Sequence, residues 1–183
     1  LAYRFRNTVD GYKVLYADGI FCEFAVFEQR ELSGIPFAPG RLVWKRPEVD
    51  DTLATPVRPV PPVEDRSEAW LLGEALTNLH VGLCRFRRGE KVSGGRFVQQ
   101  FAVDRVIELC DRSAPAHPGR DPFAADRRVE QRLPALATWW PLFMPGYERT
   151  PEAALAILDF LDSRYAVNEA LARAIRNLAG TGA

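Results

Sequence analysis

The stretch PEVDDTLATPVRPVPPV, residues 47–63, carries five prolines and no amphipathic period. Proline fixes φ and removes a backbone donor, so this run neither joins a sheet ladder nor continues a helix. It reads as an extended connection between a β-rich piece, residues 1–46, and a helical piece, residues 64–183. The expected fold class is therefore α+β, strands first and an antiparallel helical bundle after them.

In the first piece, YKVLYA and IFCEFAVF flank Asp18-Gly19, a hairpin signal because Asp-Gly supplies the positive φ of a tight turn. EQRELSG suits a short helix or turn stopped by Gly34 and Pro36, and RLVWKR, residues 41–46, reads as a further strand. IFCEFAVF, residues 20–27, holds seven apolar side chains and one carboxylate, Glu23. A strand apolar on both faces is expected to be buried on both. An unpaired carboxylate there costs several kcal/mol or takes up a proton. Two readings follow. Glu23 is a structural partner of an arginine such as Arg4, Arg6 or Arg41, or it is held on a rigid strand facing a cleft, as a metal ligand or general base.

From Glu64 the pattern turns helical. Trp70, Leu72, Leu76, Leu79 and Leu83 mark a first helix, and Arg85, Arg87 and Arg88 complement its C-terminal dipole before Gly89 stops it. A second helix is expected over Lys91–Asp111 with Phe97, Phe101, Ile107 and Leu109 among its apolar positions. Its Gly94-Gly95 pair either weakens the start or allows close helix contact. SAPAHPGRDPF, residues 113–123, is a loop. A third helix is expected over 124–142 with Pro134 as a kink or break. Thr150 and Pro151 suit the N-cap and first position of a last helix reaching Gly180, its stripe being Leu155, Leu158, Leu161, Tyr165, Ala172 and Ile175. Four helices with short connections make a bundle.

Composition narrows the function. The 24 basic and 24 acidic side chains cancel, which argues against nucleic acid as partner. Cys22, Cys84 and Cys110, with His80 and His117, assemble no zinc spacing and read as reduced thiols in a cytoplasmic protein. No apolar run spans a membrane, and no signal-peptide pattern opens the chain. Neither histidine has the Ser or Cys arrangement of nucleophilic catalysis, and no G-x-G-x-x-G or P-loop occurs. RFRRGEK, residues 85–91, is a solvated helix end or a contact for a polyphosphate. Asp104 and Glu108 form a solvated face paired with Arg105 and Arg112, or attract a cationic substrate. Trp139, Trp140 and Tyr147 are core aromatics or a stacking wall.

YKVLYADGIFCEFAVFEQRELSGIPF resembles the later strands of the small-molecule nucleotidyltransferases that adenylylate lincosamides and aminoglycosides. In that family a hairpin strand with a gEF-type pattern carries an acidic residue into the active site, a strand like RLVWKR follows, and an RGE turn joins the first two helices of a bundle. Arg88-Gly89-Glu90 matches that turn. The resemblance implies an incomplete nucleotidyltransferase-type sheet followed by a substrate-side helical bundle. It implies Glu23 as general base or third acidic group of the metal site, Mg2+ with ATP or another NTP as cofactors, and a small-molecule hydroxyl acceptor as partner. The family's glycine-serine turn and D-x-D pair, which hold the metals and the triphosphate, have no match here. The chain starts at Leu1 in a strand-like stretch without an initiator methionine, so it is expected to be the later part of a longer enzyme, with the main metal ligands upstream of Leu1, or else a degenerate relative of the family. A sheet lacking its first strands exposes an edge, and self-association into a homo-oligomer is an associated expectation.

Overall fold

The computed structural model describes residues 1–60, 65–113, 120–121 and 123–180. His117, most of the expected 113–123 loop and the end of the proline-rich connection lie outside the described residues. The class is α+β, and the chain divides into two compact units, Leu1–Pro62 and Val63–Ala183.

In the first unit, β1 (Tyr3–Arg6), β2 (Gly11–Leu15) and β3 (Phe21–Ala25) form an antiparallel sheet in the order β1-β2-β3. The β2–β3 hairpin turns at Asp18-Gly19 as expected. Gly19 takes φ +86°, its N–H donates to the Tyr16 carbonyl at 3.1 Å, and Asp18 Oδ1 accepts the Ile20 N–H at 3.2 Å. The β1–β2 turn closes through Thr8 Oγ1, which accepts the Gly11 N–H at 2.7 Å.

Two expectations for this unit are corrected. RLVWKR forms no strand: Val43 and Trp44 are exposed, and Lys45 Nζ binds the Val49 carbonyl at 2.9 Å and Asp51 at 2.6 Å. These contacts hold Lys45 to the turn that follows, closed by the Val49 N–H on the Arg46 carbonyl at 3.1 Å, and the flanking Pro39 and Pro47 suit no ladder. The sheet is not buried on both faces either, since among strand residues only Gly11 and Val14 are buried. The unit's single-turn 3-10 helices, Leu32–Gly34 and Asp51–Ala54, bury no residue and so provide no apolar layer for the strands.

In the second unit, α1 (Glu68–Arg87) starts at Ser67, whose side chain accepts the Trp70 N–H at 3.2 Å. Its buried face is Leu71, Ala75, Leu76, Leu79, Gly82 and Leu83, so the expected stripe is rotated and Trp70 lies at the surface. Gly89, at φ +83°, ends the helix, and the chain re-enters helix at once. One continuous rod follows: α2 (Lys91–Arg96), a π-helical segment (Phe97–Ala102) and α3 (Val103–Ser113). The π segment's wider turn places Val98, Ala102 and Val103 in the core and leaves Phe101 exposed, contrary to the regular period. α1 packs against α2, the π segment and α3 on this side and against the helices Thr150–Asp162 and Glu169–Gly180 elsewhere.

The expected third helix is instead two single turns, α4 (Val129–Arg132) and α5 (Trp140–Phe143), with a 3-10 turn, Pro134–Leu136, between them. Arg128 sits at φ 56° before α4, and Pro134 prevents continuation after it. Buried Arg132 holds this irregular stretch. Its guanidinium binds Asp111 of α3 at 2.9 Å and the Arg127 carbonyl at 3.1 Å. The expected last helix is also divided, into α6 (Thr150–Asp162) and α7 (Glu169–Gly180). Asn168 Oδ1 accepts the Leu171 N–H at 3.1 Å, an N-cap that starts α7 afresh. Thr150 is the buried first residue of α6 rather than its cap. Among the described residues, no helix is long and apolar enough to cross a membrane.

The glycines of the α1–α2 pair allow a backbone-to-backbone approach. A Cβ on Gly94 would lie 2.7 Å from the Gly82 carbonyl oxygen and 2.9 Å from the Phe86 nitrogen. Gly73, within α1, has nothing within 4 Å of its Cβ position. Gly94→Ala is therefore expected to destabilise the protein by roughly 1–3 kcal/mol, and Gly73→Ala to stabilise it by up to about 1 kcal/mol. Urea denaturation of the two variants checks the opposite signs.

Candidate functional site

Glu23 sits in the middle of β3, directly across from Lys13 of β2, with Nζ–Oε1 3.2 Å and its side chain 59% exposed. The burial argument drawn from its apolar neighbours does not apply: this carboxylate is solvated. Its partner is Lys13 and not an arginine. Arg4 and Arg6 pair with Val14 and Tyr12 in the register and so occupy the opposite face, where Arg6 Nε binds the Thr8 and Val9 carbonyls. Such an exposed pair stabilises the sheet by at most about 1 kcal/mol. The face that carries Glu23 also presents exposed Tyr3, Phe5 and Phe21. Glu23 is the sole carboxylate among the strand residues of that face. Among the described residues, no group of three His, Cys, Asp or Glu side chains is gathered for a metal ion. These residues therefore do not make a magnesium site by themselves.

The RGE turn has a structural account. Gly89 supplies the positive φ, and Arg88 Nε binds Glu90 Oε1 at 3.0 Å across it. That hydrogen bond raises the Arg88 pKa and lowers that of Glu90. Arg85 donates to Ser93 Oγ at 2.6 Å and covers the Phe97 ring, so it fastens α1 to the next helix. His80 Nδ1 lies 3.9 Å from Cys84 Sγ, one helical turn away. Burial pushes the Cys110 thiol up to about 11, which keeps it protonated and unsuited as a nucleophile at neutral pH.

Asp104 and Glu108, paired in the sequence reading, separate in the structure. Glu108 binds Arg105 at 2.6 Å and Arg66 at 3.5 Å, while Arg112 goes to Asp65. Asp104 turns to a cavity of about 470 Å3 bounded by the π segment, the start of α3, α4 and α5. The cavity wall includes buried Val103, Ile107, Val129 and Trp140. Asp104, Asp126 and Glu130 also line it, all three solvent-accessible, and among the described residues no lysine or arginine does. None of the three makes a salt bridge or side-chain hydrogen bond among the described residues. Gln99 secures one wall by exchanging hydrogen bonds with Gly146: its Nε2 donates to the Gly146 carbonyl at 2.9 Å and its Oε1 accepts the Gly146 N–H at 3.0 Å. Trp139 packs edge-on to Phe160 in the core, whereas Tyr147 is exposed.

Sequence reasoning weighed Asp104 and Trp140 but missed Asp126 and Glu130, which reach the cavity through the irregular 124–142 stretch. Nothing in their spacing marks them. No family model matches the chain, and neither a curated protein nor a solved structure is similar to it.

Burial raises the Asp104 pKa, Arg105 opposes the rise, and Asp126 and Glu108 add to it. A carboxyl whose folded pKa is raised favours folding in its neutral form, so that benefit disappears as pH rises through the folded value. Asp104→Asn, neutral at every pH, is therefore expected to have a higher Tm than wild type at pH 7. The difference should shrink as pH falls through the raised carboxyl range, and calorimetry at a series of pH values checks it.

Proposed function

We propose that this chain is the substrate-side portion of a nucleotidyltransferase, transferring a nucleoside monophosphate from an NTP to a hydroxyl of a small molecule. One observation carries the reading: a single carboxylate, Glu23, stands solvent-exposed at the centre of a hairpin strand, fixed in register and surrounded by exposed aromatic side chains. The RGE turn at the α1–α2 junction, with Gly89 in its required conformation, adds support to the resemblance.

In this reading the acceptor hydroxyl lies within hydrogen-bond reach of Glu23, which takes its proton as the oxygen attacks the α-phosphorus. The new O–P bond forms, the bond to the β-phosphate bridging oxygen breaks, and pyrophosphate leaves. The exposed rings of Tyr3, Phe5 and Phe21 offer apolar surface on which the acceptor rests. Lys13 holds the carboxylate in place without burying it. Magnesium and the triphosphate are assigned to no residue of this chain.

A second reading, a non-catalytic interaction module, is favoured by the same exposed aromatic face together with the Lys13–Glu23 pair, since an ion pair between apolar rings suits a protein contact. Assay of the full-length protein with Mg-ATP and a panel of hydroxyl acceptors decides between them. Nucleotidyl transfer is expected, and Glu23→Gln should lower it at least ~100-fold with folding retained. Transfer that is absent from wild type, or unaltered by Glu23→Gln, transfers the case to the interaction module.

A further inference from the structure

We propose that a second hollow of the helical unit, between the end of α3 and the turn after α6, binds a small apolar carboxylic acid as its anion. The carboxylate meets Arg164, and the apolar body lies against Leu133, Leu136 and Cys110. The inference stands on the second unit alone and does not depend on nucleotidyl transfer.

The hollow measures about 360 Å3, within the roughly 300–1,000 Å3 of small-molecule sites. Its floor is apolar. Leu133 and Leu136 are buried in the core, and Cys110 packs against that core. Burial keeps the Cys110 thiol protonated, so it adds surface without charge. Ser113, Tyr165 and Arg164 supply the polar groups. The Tyr165 hydroxyl pairs with Ser113, and burial raises the phenol's pKa, so both remain neutral O–H groups at neutral pH. Among the described lining residues, Arg164 carries the one charge.

Two features set Arg164 apart from a freely solvated side chain. First, it is held in place. Its backbone N–H donates to the Leu161 carbonyl at 3.1 Å, and Nη1 donates to the Phe160 carbonyl at 3.4 Å and to Ser163 Oγ at 2.8 Å. The guanidinium carbon lies 3.9 Å from the centre of the Phe160 ring. Fixing the fork beforehand removes part of the ordering cost that a flexible cation meets on binding. Second, the other edge of the fork is unused. Nε and Nη2 find no acceptor and the guanidinium no carboxylate among the described residues. That edge is suited to grip a carboxylate through two parallel hydrogen bonds. The Arg164 charge also acts on Cys110 and Tyr165, opposing the effect of burial at each, so it stands close to the lining.

The ligand class follows from these charges. One guanidinium matches one negative charge, and among the described residues no second cation lines the hollow for a phosphate dianion. An ammonium would be repelled by Arg164, with no acidic lining to offset it. A monocarboxylate with an apolar body satisfies both the fork and the floor.

The test is calorimetric titration of the protein at neutral pH with 3-phenylpropanoate. The matched control is 3-phenylpropanamide, which has the same shape and no charge. Saturable binding of the acid is expected, with the amide at least ~10-fold weaker. Arg164→Gln should bring the acid down to the level of the amide and leave the amide unchanged. A guanidinium that only covers Phe160 would give no such discrimination between acid and amide. Ala135 is exposed at the rim, so Ala135→Trp obstructs the hollow without entering the core and should weaken both compounds at least ~10-fold. Absence of acid binding to the wild type overturns the proposal, as does equal affinity for acid and amide. So does an acid preference that survives Arg164→Gln, or binding that Ala135→Trp leaves unaltered. No nucleotide enters the experiment, so its outcome is separable from that of the Glu23 assay.

Discussion

The approach of Gly82 and Gly94 is the contact on which the helical unit depends. With no side chain on either residue, the Gly94 Cβ position lies 2.7 Å from a carbonyl oxygen of the neighbouring helix, a separation that only glycine tolerates. That proximity presses α2 onto α1 and carries the π segment in behind it, so Val98 and Ala102 become fully buried against Leu79 and Leu83 in one core. From there the rod's direction is set. Gln99 meets the chain at Gly146 and Thr150, where α6 begins, and Asp104 emerges one turn later on the cavity side. A packed interior transmits such placements because it has little free volume in which to absorb them.

What was legible in the sequence was local. Gly19, in the Asp-Gly turn, and Gly89 are positions where positive φ is expected, and the backbone takes it at both. The glycine pair at 94–95 left open weakening or close contact, and the distances decide for contact at Gly94. What was not legible depends on partners remote in sequence. RLVWKR has the composition of a strand, yet Lys45 finds Val49 and Asp51 instead of a ladder. The π segment hides within a run that reads as ordinary helix, and only tertiary packing shows which residues its extra width turns outward. Arg132 stands out in no sequence pattern, and the 21-residue reach to Asp111 makes it the internal brace of α4. Asp126 and Glu130 were invisible for the same reason.

Glu23 shows how a sound rule can start from a false premise. Apolar neighbours on both sides of a strand implied two buried faces, and burial implied a costly carboxylate. The sheet is exposed, so there is no such cost, and the ion pair to Lys13 is one that water competes with readily. The question therefore moves from how the fold tolerates Glu23 to what lies over its face. Three exposed aromatic rings beside a solvated ion pair make that face amphipathic.

The cavity beside the π segment of the second unit poses the opposite problem. Several acids of that unit find cations, Asp111 with Arg132, Glu148 with Lys91, Asp162 with Arg176 and Glu108 with Arg105, while Glu68, Glu74 and Glu169 make no ion pair among the described residues. A chain so rich in arginine had ample means to neutralise Asp104, Asp126 and Glu130, and a single lysine on α4 or the π segment would do it. Instead three like charges line one hollow, and burial, opposed by Arg105 and reinforced by Asp126, raises the pKa of Asp104. All three carboxylates reach solvent, so water and salt screen their repulsion, and the fold tolerates the cluster as it tolerates the other unpaired acids of the unit.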